Sequence, residues 1–432
     1  MTRGERTGVA PSTSRSMGSD YPRTVIQSNS RMDRKFTLGC AACGASHDAD
    51  YGGRRCNSCD GPLVPAYALS YLEDSELSGM WRFFPLLPVL QRSSIVSLGE
   101  GGTPRLEAPR LGAALGLENL TMKDETRNPT GSFKDRMLSV GISRAKELGK
   151  TTVAVQSSGN VAAAAAAYAA KAGLKAKVFV PRSVPEEKLA QILMYGAELF
   201  RIDESSPAAV FELMDEASQR FDWHVVATTA LYNPFTLEGS KTIAYELASD
   251  VPDWLVVPVG GGGNLGSLWR GFRELSALGA IERLPRLAGV QAEGCAPFVD
   301  AIRLGLSWKE AASRRWSEIR TVCGAIADDV VFDAHIAVPA VVDSGGVAIA
   351  VSDEEALEAE KLIASTEGLF VEPSSATSVA ALKKLVERGT IDPEASVCCL
   401  ATGTGFKDMG AAKKLVSVPN VISALEFRRR FA

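Results

Sequence analysis

Hydrophobic and polar positions alternate between two patterns over most of this chain. Short runs dense in β-branched and aliphatic residues recur at 152–155, 177–180, 224–227, 254–259 and 288–291, and again at 396–400. Runs of that length and composition read as strands. Between them lie longer stretches rich in alanine and leucine, including 161–172 and 185–196, with apolar residues at helical spacing. Strands alternating with helices predict parallel sheets joined by right-handed crossovers, an α/β fold. Ala162 to Ala167 make a narrow helix able to pack closely against a sheet. No internal repeat is evident.

Composition adds bounds. The chain has 432 residues, 46% hydrophobic and 23% charged, with a formal net charge of −4. These values suit a globular protein of two or three domains at roughly 150 residues each. The slightly acidic balance gives no general attraction to nucleic acid or anionic membranes. No uninterrupted apolar run reaches about 18 residues, so no membrane span is expected. Residues 1–35 lack the apolar block of a secretory signal and read as a disordered extension, with Met17 and Met32 as alternative starts. A cytoplasmic location is the expectation.

The eight cysteines are unevenly spread. Cys40, Cys43, Cys56 and Cys59 have zinc-ribbon spacing, two tight knuckles that can place four thiolates tetrahedrally around one ion. Gly44 and Gly61 suit those turns. In a reducing compartment disulfides compete poorly, so a structural zinc is expected in a module at 36–63. Four sulfur ligands leave no open position, so this metal is not expected to be catalytic. Cys295, Cys323, Cys398 and Cys399 lie in apolar contexts and read as small core residues.

Candidate chemistry concentrates at strand-to-helix junctions, where ligands bind on such sheets. Asn128-Pro-Thr-Gly is turn chemistry, and Ser-Phe-Lys134-Asp-Arg136 opens a helical stretch running past Leu148. That sets Lys134 at a helix start, with Phe133 as a low-polarity wall that helps its amine shed a proton. Ser157-Ser158-Gly159-Asn160 follows a strand and offers hydroxyls and free N–H groups as a carboxylate nest, though a plain helix cap explains it as well. Gly260 to Gly263 followed by Asn264 form the second such turn. Four consecutive glycines are costly in chain entropy, and a closely approached phosphate is the better reason for them. The third turn, Ala401-Thr402-Gly403-Thr404-Gly405, is a weak signal alone.

Together with Trp81-Arg82-Phe83, Gly99-Glu100-Gly101-Gly102-Thr103-Pro104 and the late Thr402-Gly-x-Gly-x-Lys-Asp408, these segments resemble the threonine synthase family over roughly 79–408. That resemblance implies a pyridoxal-phosphate enzyme of the two-domain tryptophan-synthase-β-like fold (fold type II). Lys134 would hold pyridoxal phosphate as a Schiff base and serve as the catalytic base. Asn160 would bond the ring hydroxyl, Gly260, Gly261, Gly262, Gly263 and Asn264 would wrap the phosphate, and Thr402 would face the ring nitrogen. Ser157, Ser158 and Gly159 would dock the carboxylate of an amino-acid substrate. A large cofactor domain is expected at 64–136 and 240–432, a small mobile domain at 137–239, and a homodimer as the assembly.

Three positions depart from the family pattern. Val161 stands where threonine is usual, Thr236 in Asn233-Pro-Phe-Thr-Leu-Glu-Gly239 where arginine is usual, and Gly261 where asparagine is usual. Each change removes a donor for the phosphate of O-phosphohomoserine, and one charge-assisted contact is worth on the order of 2 kcal/mol. The three together point to a lyase with a different substrate. Threonine synthase proper and a threonine or serine ammonia-lyase are the alternatives. Arg182, Lys188 and Lys241 stand as cations that could compensate. No regulatory domain is visible after Phe427-Arg-Arg-Arg430, which favours a simple lyase over an allosteric dehydratase. A nucleic-acid role resting on Arg31, Arg34, Lys35, Arg54 and Arg55 is disfavoured by the acidic balance and by the intact Lys134.

Overall fold

A computed structural model describes residues 35–68, 72–74, 76–204 and 206–431. The extension at 1–34, with Met17, Met32, Arg31 and Arg34, lies outside the described residues. The remainder forms three sheets. β1 (Phe36–Cys40), β2 (Ser46–Asp48) and β3 (Leu63–Tyr67) make a small antiparallel sheet of order β2-β1-β3. β4 (Arg105–Glu107) and β5 (Asn119–Asp124) enter a six-stranded sheet of order β12-β11-β10-β13-β5-β4, whose later strands are β10 (Trp254–Pro258), β11 (Arg286–Ala292), β12 (Val347–Val351) and β13 (Ser396–Ala401). All its pairs are parallel except β4 with β5. A second parallel sheet, order β8-β7-β6-β9, holds β6 (Thr152–Gln156), β7 (Lys175–Pro181), β8 (Glu198–Ile202) and β9 (His224–Val225).

Burial explains these elements. β10 reads Trp-Leu-Val-Val-Pro and is buried at every position, as a central parallel strand with helices on both faces must be. Helix α1 (Lys134–Glu147) is buried from Asp135 to Ala145, and α2 (Asn160–Ala172) buries Ala162 to Ala169. Small side chains let α2 lie close to its neighbours in the main core, where Tyr168 sends its hydroxyl to Glu100 Oε2 at 2.8 Å. Two expected elements differ. The strand expected at 224–227 ends at Val225, because Val226 makes its last ladder-like bond to Ala154 and the chain then turns away. The helix expected at 185–196 is a 3₁₀ turn (Glu186–Lys188) and a short helix (Ala190–Met194), since only Leu189 and Ile192 find a core while Leu193 and Met194 face solvent.

A buried ionic cluster ties α1 to the large sheet. Arg136 is fully buried and donates to Glu125 Oε2 at 2.7 Å, Glu246 Oε1 at 2.7 Å, Thr242 Oγ1 at 2.9 Å and Thr103 Oγ1 at 3.1 Å. Lys123 completes it, reaching Glu246 at 2.7 Å and the Thr103 carbonyl at 2.6 Å. The small antiparallel sheet is clamped to the body as well, through Tyr67 to Glu238 at 2.8 Å and Arg54 to Asp215 at 2.5 Å. Among the described residues no helix is long and apolar enough to cross a membrane. Replacing Arg136 by methionine leaves the buried Glu125 carboxylate without its cation and Glu246 with Lys123 alone, and a loss of about 3–5 kcal/mol in denaturant unfolding is expected. A loss below about 1 kcal/mol, the range of an exposed pair, would show that the cluster does not anchor α1.

Candidate active site

The carboxyl ends of strands from both parallel sheets converge on Lys134. β5 ends at Asp124 and its chain continues through the turn that starts α1. β13 ends beside it, with Ala401 in register with Asp124, and Phe133 N–H donates to the Thr402 carbonyl at 3.0 Å. Asp135 closes the turn by accepting from Thr130 N at 2.9 Å and Thr130 Oγ1 at 2.8 Å. Lys134 is therefore fixed at the first position of a helix whose entrance is bonded on both sides. Its Nζ donates to Thr228 Oγ1 at 3.3 Å and lies 4.6 Å from the centre of the Phe133 ring. Burial lowers its pKa, while Asp328, Asp333 and Glu372 act in the opposite sense.

The other expected site residues lie at the neighbouring strand ends. Ser157, Ser158 and Gly159 form the bend between β6 and α2, with Gly159 N–H donating to Ser157 Oγ at 3.3 Å. Asn160 is the first residue of α2; its Nδ2 donates to both oxygens of Glu372 at 3.2 Å, while its Oδ1 is buried and unpartnered. Thr402 follows β13, and its hydroxyl lies 2.6 Å from that of Ser375. Gly260 to Asn264 follow β10 and open α3 (Gly263–Ala277). Both polar atoms of the Asn264 side chain are buried without partners.

The glycine loop admits no side chain. A Cβ on Gly260 would sit 2.6 Å from Asp328 Oδ2, one on Gly262 would sit 2.6 Å from the Ala337 methyl, and one on Gly263 would sit 2.6 Å from a Leu237 methyl. Gly262 also has φ +97°, a conformation L-residues avoid. The loop is thus closely packed, and Asp328 accepts a hydrogen bond from the Gly261 N–H. Gly262→Ala is expected to lower stability by more than about 1 kcal/mol in denaturant unfolding. Gly324→Ala, in open space, should leave stability unchanged; equal effects would remove the packing argument.

The fold also brings in residues that sequence reading missed. Thr228, Asp328, Asp333, Glu372, Ser375 and Lys407 all reach this region. Asp333 accepts from Thr229 Oγ1 at 3.0 Å and Ala230 N–H at 2.9 Å, and burial pushes its carboxyl up to about 7. Burial likewise raises the carboxyls of Asp328 and Glu372. Glu372 was foreshadowed by Pro373 and Ser374-Ser375, a helix-start signal after a short apolar run. Asp328 and Asp333 carry no local signal.

The three departures from the family pattern are not alike in space. Thr236 is fully buried and spends its hydroxyl on the Ala227 carbonyl at 2.7 Å, so it does not face the cleft. Gly261 is half-buried, and a Cβ there would lie 3.1 Å from the Phe332 ring. Val161 is half-buried against the main core. The proposed compensating cations are engaged elsewhere: Arg182 with Asp203 at 2.5 Å, Lys188 with Asp408 at 3.4 Å, and Lys241 with Glu238 at 2.7 Å and Glu274 at 2.9 Å.

Away from this cleft, the Sγ atoms of Cys40, Cys43, Cys56 and Cys59 lie within 4.8 Å of one another, in position to hold one metal ion. Cys295, Cys323, Cys398 and Cys399 are buried free thiols.

A family profile for pyridoxal-phosphate dependent enzymes matches residues 96–403. The threonine synthase of Methanocaldococcus jannaschii is 40% identical over 394 residues, covering 88% of this chain and 95% of that one. That of Methanosarcina acetivorans is 39% identical over 400 residues, covering 90% and 96%. Among solved structures, the processed threonine deaminase isoform 2 of Solanum lycopersicum superposes with a TM-score of 0.62 at 20% identity, over 73% of this chain and 88% of that one. Maize serine racemase gives 0.62 at 23% identity, over 72% and 91%. These two structures share the fold, which is the two-domain α/β arrangement expected from the sequence.

Proposed function

We propose, from the premise that this chain belongs to the threonine synthase family of pyridoxal-phosphate dependent enzymes, that it is a lyase acting on a β- or γ-substituted amino acid through Lys134, with a substrate other than O-phosphohomoserine. The observation that carries the reading is Lys134 itself: a lysine of lowered pKa, rigidly held where the strand ends of two sheets meet.

The residues present fit the cofactor. Asn160 Oδ1, Asn264 Nδ2 and Oδ1, and Ser132 Oγ are buried polar atoms without protein partners around the cleft. Such atoms are rare unless something else satisfies them. The glycine loop and the start of α3 present N–H groups to an anion, Asn160 suits the ring hydroxyl, and Thr402 with Ser375 suits the ring nitrogen. Pyridoxal phosphate, when bound, supplies an electron sink that acidifies the Cα–H bond of an attached amino acid and eases loss of its leaving group. Ser157, Ser158 and Gly159 would hold the substrate carboxylate at the N-terminus of α2, and the freed Lys134 amine would take the Cα proton. Low polarity around Nζ favours the neutral amine that this requires. The unit at 137–239 carries Asn160 and the carboxylate nest, so its closure on substrate would complete the site.

Threonine synthase proper is the second reading, supported by the 40% identity over nearly the whole of a threonine synthase. In either case, reduction with borohydride in the presence of pyridoxal phosphate is expected to label Lys134 in a peptide map. Lys134→Ala should abolish the label and lower turnover by a factor of about 100 to 10,000 or more. Labelling at another lysine would overturn the assignment.

The ribbon at 36–63 is proposed to hold zinc structurally. Tetrahedral Zn–S bonds of about 2.3 Å place sulfurs roughly 3.8 Å apart, and the Cys40–Cys59 and Cys43–Cys56 pairs lie at 3.5 and 3.7 Å. One zinc ion per chain is expected by elemental analysis, with loss on Cys59→Ser and a lower melting temperature after chelation. Metal-free protein of unchanged melting temperature would rule the zinc out.

A further inference from the structure

Two buried hydroxyls, those of Thr402 and Ser375, meet just beyond the end of β13. Ser375 lies in the first turn of the helix Pro373–Glu387 and is 1% exposed, and Thr402 is 4% exposed. Their oxygens are 2.6 Å apart. Two backbone contacts tie the helix entrance to the strand end. Glu372 N–H donates to the Gly403 carbonyl at 3.0 Å, and Gly403 N–H donates to Ser375 Oγ at 2.8 Å. The Thr402 carbonyl accepts from Phe133 N–H at 3.0 Å, so this strand end is also bonded to the turn that presents Lys134.

These bonds decide where the hydroxyl protons go. Each hydroxyl has one proton to give and two lone pairs to accept with. One lone pair of Ser375 is taken by Gly403 N–H, and its proton has two acceptors in reach, Thr402 Oγ1 at 2.6 Å and the Gly403 carbonyl at 3.2 Å. The longer contact lies outside the usual range for O–H···O bonds, and that carbonyl already accepts from Glu372 N–H. The Ser375 proton therefore goes to Thr402. Thr402 keeps its own proton to give, and among the described residues no further protein group bonds to its hydroxyl. A buried donor in that condition calls for a partner.

We propose that Ser375 is a positioning residue for the cofactor. By donating to Thr402 it makes the Thr402 hydroxyl a donor toward the ring nitrogen, and so keeps that nitrogen unprotonated. This rests on the Lys134 reading above, with Thr402 facing the ring. The reverse chain runs from a protonated ring nitrogen to Thr402 and from Thr402 to Ser375. It would push the Ser375 proton onto the 3.2 Å contact and leave a buried cation with no carboxylate bonded to either hydroxyl. A neutral ring withdraws electrons less strongly than a protonated one. Charge left at Cα when its proton is removed is then held less firmly in the ring, which favours expulsion of a leaving group over return of the proton.

The test uses the full chain loaded with pyridoxal phosphate carrying 15N in its ring. As pH is lowered, the wild-type nitrogen resonance is expected to stay in the neutral-pyridine range, and that of Ser375→Ala to move toward the pyridinium range at a higher pH. Ser375→Ala should also weaken cofactor binding by a factor of about 2 to 10, the range of one neutral hydrogen bond. Ser375→Thr, which keeps the hydroxyl, should restore both. In a double-mutant cycle on the cofactor dissociation constant, Ser375→Ala is expected to add nothing to Thr402→Ala, because it acts through that hydroxyl. Additive effects, or equal titrations of wild type and Ser375→Ala, overturn the proposal and leave Ser375 as packing for the helix entrance; a protonated nitrogen in wild type overturns it too. If alanine perturbs folding, Ser375→Cys, a weak donor of similar size, is expected to show the same shift. Borohydride labelling separates the two readings. A wild type not labelled at Lys134 takes the Lys134 reading down and this one with it, whereas labelled Lys134 with additive variants removes only the role of Ser375.

Discussion

Arg136 is the point on which the geometry of the cleft depends. A guanidinium with no solvent exposure is tolerable only if its donors are matched, and here two carboxylates and two threonine hydroxyls match them. Those partners come from the end of β5, the loop before β4, and the helix at Glu238–Glu246. Because Arg136 stands two residues after Lys134 on the same helix, fixing its head group in this cluster fixes the turn that presents the lysine. Asn128 extends the network, donating to Glu125 at 2.8 Å and accepting from Gly101 N–H at 3.0 Å. The turn residues at 128–131 and the glycine-rich segment at 99–102 are thereby parts of one assembly. The charges near Lys134 divide into a closed set behind it and an open set in front.

That division explains how one helix can carry both a fully paired arginine and a lysine of depressed basicity. Behind the helix, Glu125 and Glu246 are neutralised by Arg136 and Lys123. In front, Asp328, Asp333 and Glu372 gather around Lys134, with Lys407 as a further cation, and burial raises the carboxyls and lowers the amines. The loop at 227–233 links this front to the N-terminal ribbon. Thr228 touches Lys134 and Thr229 touches Asp333, while Arg55 donates to the Leu231 carbonyl at 3.2 Å and packs over Tyr232. The ribbon thus braces one wall of the cleft from outside.

What the sequence could reveal follows from the range of each constraint. Central strands such as β10, β11 and β13 were legible because burial on both faces makes them continuously apolar. The turns at 128–131, 157–160 and 260–264 were legible because tight turns, with a left-handed backbone at Gly131 and Gly262, demand particular residues locally. β5 was not, since its Thr121, Lys123 and Asp124 look like surface residues until Glu246, Arg127 and the Val397 carbonyl are brought to them from other parts of the chain. β4 and β8 are edge strands whose half-exposed faces give weak patterns. Asp328 and Asp333 were invisible for the same reason as β5. An aspartate in a loop reads as solvated, and only the close packing of 326–337 against the glycine loop brings these two near Lys134. Conversely, Thr236 looked like a lost phosphate ligand and is a core hydroxyl bonded to a backbone carbonyl.

Membership of the threonine synthase family and the proposed change of substrate are physically compatible. The roles proposed for Lys134 with its turn, the glycine loop and the nest before α2 concern only a cofactor and an α-amino acid, which enzymes of this kind have in common. Substrate choice rests on the few groups that face the side chain of that amino acid. Thr236 is not one of them here, since its hydroxyl is spent on the Ala227 carbonyl in the core, whereas the carboxylates of Asp328 and Glu372 lie near Lys134 and outside the Arg136 cluster. A few such positions carry little weight in an identity of 40%. Overall likeness therefore identifies the family, and a reading of the substrate has to rest on the groups near Lys134.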